Sequence, residues 1–311
     1  MLIVTSALGA TLGSVLLEAL PETWTFAEDD EIVPGLHAVR LLGGGTKHEA
    51  YLAWDRRLHA LVVVKLLRPA FAGDRSARAS LRAEGEALAS LAHPGLPRVF
   101  GGDPGGERPH LVLEHLDGPR LSTVIRRYRP ALEQAIPLAV SLCSVLHYLR
   151  EEGWLHLDVK PKNVILGSPP RLIDLSVARR VETVASISAP IGTDAYMAPE
   201  QCDPARFGQI GAATDIWGLG VTLYETLARR LPFAAPDRSA ISLSDRYPQT
   251  AAIPEALPGG IPKTVSHAVL ACLSADPAER PAPAELSSVL EQVEATLPRP
   301  RLGRFRPADR R

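Results

Sequence analysis

From residue 39 onward the chain runs in short apolar stretches separated by turn residues. Residues 39–42, 50–54 and 61–67 read as strands, the last of them rich in Val. Gly43, Gly44 and Gly45 stand between the first two, and Arg56 and Arg57 mark the turn after the second. The period then changes. Residues 74–92 are rich in Ala, Leu, Arg and Glu, with Leu81, Leu88 and Leu91 at helical spacing, which predicts a helix that His93-Pro94-Gly95 stops. Two more strand-like runs follow, around Arg98-Val99-Phe100 and over residues 110–113, with a Gly/Pro turn at 103–106 between them. This part predicts a five-stranded antiparallel sheet with one helix.

After Gly118 the pattern turns helical. Residues 121–128 predict a short helix and 132–152 a long one ending at Gly153. A polar loop, a short strand at 164–166, a proline turn and another short strand at Leu172-Ile173 come next. Residues 211–295 read as helices broken by proline turns. There is no internal repeat.

The ends differ from the middle. Residues 20–35 are acidic and turn-rich and read as a lead-in to the first strand. Residues 1–17 carry no charged side chain, at the lower edge of the ~17–25 residues a spanning helix needs. No Lys or Arg precedes Arg40, so the basic start of a signal peptide is missing. The segment is expected to be a docking helix or a disordered extension rather than a membrane anchor. No later segment is expected to be long and apolar enough to span a bilayer. Residues 298–311 carry six Arg and read as a disordered basic tail, either simply solvated or docking to an acidic partner or lipid surface.

Composition narrows the class. A length of 311 residues suits one large domain or two lobes. Charge is balanced, 34 Lys and Arg against 35 Asp and Glu, so nothing suggests a nucleic-acid footprint. The three cysteines (Cys143, Cys202, Cys272) are odd in number and far apart. They make neither a disulfide framework nor a clustered metal site, and they point to a reducing compartment.

Candidate chemistry is concentrated in a few places. Gly43 and Gly45 lie between two strands, where glycine lets backbone N–H groups approach a phosphate closely. A plain hairpin turn would use the same residues. Lys65 is the one charged residue in the run 61–67. It either snorkels to water from an edge strand or requires an anionic partner. The most informative segment is His156-Leu157-Asp158-Val159-Lys160-Pro161-Lys162-Asn163, followed by Asp174 at the end of a short strand. It offers a base (Asp158), a cation beside it (Lys160) and two oxygen ligands for a hard metal (Asn163, Asp174).

Taken in order, these segments resemble a eukaryotic-type (Hanks-type) serine/threonine protein kinase of the kind also found in bacteria, over about residues 36–290. The matching pieces are the glycine loop, Lys65, Glu84 and the hinge-like 113–118, then the catalytic loop with Asp158 and the metal-binding Asp174. Gly192 to Glu200 with Ala198-Pro199-Glu200, residues 215–220 and Arg280 complete the set. The resemblance implies an α+β, bilobal protein-kinase fold: a small antiparallel β-sheet lobe with one helix, over residues 36–116, and a larger, mostly helical lobe over 117–295. Residues 1–35 would be an N-terminal extension and 296–311 a basic tail.

The resemblance also implies roles. ATP is the expected substrate, with Mg²⁺, or Mn²⁺ in its place, held by Asn163 and Asp174. Lys65 would contact the α- and β-phosphates and pair with Glu84 in preference to Glu86. Asp158 would accept the proton of a Ser/Thr hydroxyl on a protein substrate, and Lys160 would stabilise the transferring phosphoryl group. Gly43, Gly44 and Gly45 would cover the phosphates. Adenine would lie between Leu42, Ala50 and Val63 on one side and Ile165 on the other, with backbone hydrogen bonds near Glu114 and Leu116. Thr193 ahead of Ala198-Pro199-Glu200, with Lys160, resembles the Ser/Thr class. Glu200, Arg280 and Asp215 are expected to be architectural. Self-association for autophosphorylation at Thr183, Ser186 or Ser188 fits the resemblance, and the expected location is the cytoplasm.

Three positions depart from the family pattern. His48 replaces the third loop glycine, where a side chain either stiffens the loop or reaches the phosphates. Leu157 replaces the arginine before the catalytic acid and cannot pair with a phosphate, so switching by loop phosphorylation is not expected. Leu175 and Ser176 follow Asp174 where Phe and Gly are usual. Leu keeps an apolar plug, and Ser narrows the backbone choices at a hinge. Lys65, Glu84, Asp158, Lys160, Asn163 and Asp174 are all present, which favours an active enzyme over a nucleotide-binding pseudokinase scaffold.

Overall fold

In the computed structural model, which describes residues 22–187 and 190–298, the apolar runs of the first third form strands. They are β1 (Glu31–Val33), β2 (Leu36–Gly44), β3 (His48–Asp55), β4 (Ala60–Leu67), β5 (Val99–Asp103) and β6 (His110–Glu114). They pair antiparallel in the order β1-β2-β3-β4-β6-β5, a six-stranded sheet where the pattern had suggested five. The additional strand, β1, comes from the segment read as a lead-in. Its Ile32 is fully buried, and the hydrophobic gain of that burial outweighs the turn-rich composition around it.

Strand register sorts the side chains by face. Tyr51, Ala53, Val62, Val64, Leu66 and Val112 form an outer core closed by Trp24 and Phe26. The Arg108 guanidinium lies 5.3 Å from the Trp24 ring centre and 5.1 Å from that of Phe26. Ala50 pairs with Lys65, and Lys65 with Leu111, so these three point to the opposite, inner face. Helix α1 (Arg75–Ser90) packs there through Ala77 and Leu81 against Leu67 and Leu111. Its start is fixed by Asp74, whose side chain accepts a hydrogen bond from Ala77 N–H.

The larger lobe is helical around α2 (Leu121–Arg127), α3 (Leu132–Glu151), α4 (Ala212–Ala228), α5 (Lys263–Ala271) and α6 (Pro283–Glu294). By length and composition α3 would qualify as a membrane span, contrary to the reading that no segment after the amino end does. Its apolar residues instead form the centre of the large core, with Leu142, Val145 and Leu149 packed among residues of α4 and α6. All three cysteines are free and buried. Residues 1–17 and the Arg-rich stretch 299–311 lie outside the described residues.

Candidate active site

Lys65 carries the first constraint. A buried ammonium needs anions, and its Nζ lies 2.7 Å from both Oε1 and Oε2 of Glu84 and 2.7 Å from Oδ1 of Asp174. The snorkelling alternative is therefore excluded. Burial by itself would favour the uncharged amine, but the two carboxylates hold Lys65 above the usual lysine range. Burial likewise pushes the Glu84 carboxyl up, against the pull of Lys65. Glu86, two residues along the helix, is exposed.

Asp174 has a left-handed backbone, φ 73°. Ser176 is not among the residues with positive φ, so the serine in the hinge position meets no left-handed strain. Burial alone would raise the Asp174 carboxyl, but Lys65, with a smaller contribution from the Ser176 side chain, holds it well below the usual carboxylate range. Leu175 is buried in the same core cluster as Ala87 and Leu88 of α1. The apolar plug thus ties the small-lobe helix to the large lobe.

Below the cleft, short strands β7 (Trp154–Leu155), β8 (Val164–Ile165) and β9 (Arg171–Leu172) frame the catalytic loop. Asp215 at the start of α4 accepts from the N–H groups of His156 and Leu157, each at 2.7 Å. That double bond secures Leu157 in its left-handed conformation, φ 62°. Asp158 is then presented with its charge answered on both oxygens. Lys160 Nζ lies 2.5 Å from Oδ2, Asn163 Nδ2 3.1 Å from Oδ2, and Thr193 Oγ1 donates to Oδ1 at 2.8 Å. Asn163 is buried, and its carbonyl accepts from Ile173 N–H at 2.8 Å. That bond stitches Asn163 to the residue preceding Asp174.

The donor set suits a hard divalent cation. One ionised carboxylate and one amide are few ligands, as expected where phosphates and water supply the rest. Among the described residues no cluster of three His, Cys, Asp or Glu forms a self-sufficient metal site.

The glycine loop is held from outside. Gly43 has φ 133°, and a side chain at Gly44 would come within 2.4 Å of the His48 carbonyl, whereas Gly45 faces open space. Arg68 donates to Gly45 O at 2.9 Å and pairs with buried Glu49 at 2.9 Å, which also accepts from Trp24 N–H at 3.3 Å. Sequence reasoning missed this brace. Its signal was present, because Glu49 is a charged residue on a strand just as Lys65 is.

The inner face carries the remaining candidates. Leu42, Ala50 and Val63 are half-buried there, and Ile165 sits in β8 at 9% exposure. At the hinge, Glu114 N–H donates to Arg98 O at 2.8 Å and its carboxylate pairs with Arg98 and Arg171. Leu116 follows the end of β6, and its backbone groups make no hydrogen bond among the described residues. Those are free groups where a planar base would need them.

Leu157 is 3% exposed and clusters with Leu155 and Ile210. Val177, Val184, Ile187 and Ile191 from the segment after Asp174 pack against them.

The comparisons agree with this geometry. Residues 36–290 match the protein kinase domain family. The chain is 32% identical over 252 residues to the serine/threonine-protein kinase PknB of Mycobacterium tuberculosis, covering 77% of this chain and 40% of that protein. It is 32% identical over 272 residues to PknB of Mycobacterium leprae, covering 83% and 43%. A probable serine/threonine-protein kinase of Streptomyces coelicolor is 34% identical over 215 residues, covering 65% and 31%. The chain thus spans less than half the length of these curated relatives.

Proposed function

The chain belongs to the protein kinase family, and from that premise we propose that it transfers the γ-phosphoryl group of ATP to Ser/Thr hydroxyls of protein substrates. One observation carries the proposal: a carboxylate, Asp158, held by Lys160, Asn163 and Thr193, is backed by a second carboxylate, Asp174, salt-bridged to Lys65. All six groups expected to do chemistry are present and engaged. No observation favours a pseudokinase scaffold.

Phosphoryl transfer asks the protein mainly to position reactants and neutralise charge. Lys65, fixed by Glu84, supplies a cation to the α- and β-phosphates. Asn163 and Asp174 would hold Mg²⁺, which would supply positive charge to offset that of the phosphates. Asp158 orients the acceptor hydroxyl. As that oxygen bonds to the γ-phosphorus, the bond to the β,γ-bridging oxygen breaks, ADP departs and the hydroxyl proton passes to Asp158. Lys160 offsets the charge on the transferring group. Thr193, bonded to both Asp158 and Lys160, holds this pair in register.

The test is transfer of label from γ-labelled ATP to a basic protein substrate, followed by phosphoamino-acid analysis. Phosphoserine and phosphothreonine are expected, without phosphotyrosine. Asp174→Asn is expected to reduce transfer by about 10²-fold or more, because it removes the ionised metal ligand and one anchor of Lys65. Activity that survives this change would overturn the assignment of Asp174.

The apolar clasp on Leu157 makes a further prediction. Thr183 is exposed, and Ser188 lies outside the described residues. The combined change of Thr183, Ser186 and Ser188 to Ala is expected to keep transfer within about twofold of wild type. A collapse of activity would show that phosphorylation, not apolar packing, positions the segment.

A further inference from the structure

We propose that His48 is a phosphate-binding residue: its imidazole, protonated at Nε2, donates a hydrogen bond to a phosphate oxygen of a nucleotide lying against Lys65 and Asp174. The inference deepens the kinase reading and rests on it. It settles between stiffening the loop and reaching the ligand, in favour of the second.

Three observations converge on this position. Strand register comes first. His48 precedes Ala50 by two residues on β3, and Ala50 pairs directly with Lys65, so His48 and Lys65 share the inner face. Second, the ring lies within the fields of both Lys65 and Asp174. Third, Nε2 is buried and has no hydrogen-bond partner among the described residues. A buried polar atom without a partner is costly, and a turn of the ring toward the inner face of the sheet would give it one in a phosphate oxygen.

The surrounding bonds fix the backbone of His48. Gly45 N–H donates to the His48 carbonyl at 3.0 Å, Arg68 N–H donates to the Lys47 carbonyl at 2.9 Å, and Arg68 Nε donates to Gly45 O. An imidazole can donate from Nε2. The loop gives up one glycine and gains a side-chain donor with longer reach.

The ligand class follows from the chemistry. His48 recognises nucleotides that carry a phosphate chain and is indifferent to the nucleoside alone. The test is calorimetric titration of the full chain with ADP plus Mg²⁺ and, separately, with adenosine. His48→Ala is expected to weaken ADP about tenfold, the scale of a hydrogen bond to a charged group, and to leave adenosine within about twofold. His48→Gln, whose amide can donate from a similar position, is expected to recover most of the lost ADP affinity. Tighter or unchanged ADP binding in His48→Ala would overturn the inference, because the ring would then obstruct or ignore the phosphates. Equal weakening of ADP and adenosine would also overturn it, because the ring would then only shape the loop. Wild-type protein that binds no ADP would fail the kinase reading itself. Wild-type protein that binds ADP and transfers phosphate while the variants are unaffected would fail only this inference.

Discussion

Asp158→Asn is expected to slow phosphoryl transfer by about 10²–10⁴-fold, the range attributable to a positioned general base, while the protein stays folded. The environment of Asp158 explains both halves of that expectation. Its Oδ2 faces two donors, Lys160 and Asn163, and its Oδ1 faces the Thr193 hydroxyl. An asparagine can turn its carbonyl oxygen toward Lys160 and its NH₂ toward Thr193, whose hydroxyl can rotate to accept. The local hydrogen bonds then survive, but no lone pair is left to take the substrate proton. The two effects separate by measurement. The turnover number should fall by orders of magnitude, the ADP dissociation constant should stay within about twofold, and the melting temperature should shift by only a few degrees, about 1 kcal/mol or less. A variant retaining a tenth of wild-type turnover would remove Asp158 from its role. A variant that loses turnover because it has unfolded would leave the melting curve as the witness.

Arg280→Ala is expected to act on the fold rather than on the chemistry, and strongly. Arg280 and Glu200 are fully buried at their side chains, with Arg280 nitrogens 2.6 and 2.8 Å from the two Glu200 oxygens. The guanidinium also donates to the carbonyls of Ala213 and Ser274 and lies 5.0 Å from the Trp217 ring centre. Thr214 adds a hydroxyl to the Glu200 carboxylate at 2.8 Å. Truncating Arg280 leaves the buried Glu200 carboxylate without its cation, with only the Thr214 hydroxyl bonded to it. Breaking one side of such a pair costs about 3–5 kcal/mol. At ~2–4 °C per kcal/mol for a domain of this size, the melting temperature should fall by about 6–20 °C. Replacing both partners, Glu200→Leu with Arg280→Met, should recover a large part of that loss, because an apolar pair leaves no charge buried alone. Differential scanning calorimetry on the single and double variants decides the matter. A single variant melting within two degrees of wild type would show that water reaches the pair.

The two predictions differ in how visible their residues were beforehand. Asp158 could be read from the chain because base, cation and amide sit within six positions of one loop, and a short segment constrains its own geometry. Lys65 was legible as an anomaly, one charge in a buried run, with the demand for an anion following from the cost of desolvation. Glu49 made the same demand and went unread, because its partner Arg68 belongs to the next strand's end and its second partner, Trp24, to a segment that looked like a lead-in. The Trp24 and Phe26 clasp had its alternation in the chain. Acidic neighbours hid it until Arg108, distant in sequence, was found against both rings.

The chain alone determined the elements that local periodicity encodes. These are the strands from β2 to β6, helices α1, α2 and α3, and the order of the chemical groups along them. Local pattern suffices there because burying one face of a strand or helix selects its period. Tertiary structure alone decided the rest. It made β1 a sheet strand, placed a left-handed backbone at Asp174, spent the Glu114 N–H on Arg98, and buried His48 Nε2 without a partner among the described residues. Each of these depends on which groups from distant segments compete for the same hydrogen bond or the same buried volume. That competition is set by three-dimensional packing and has no period in the sequence.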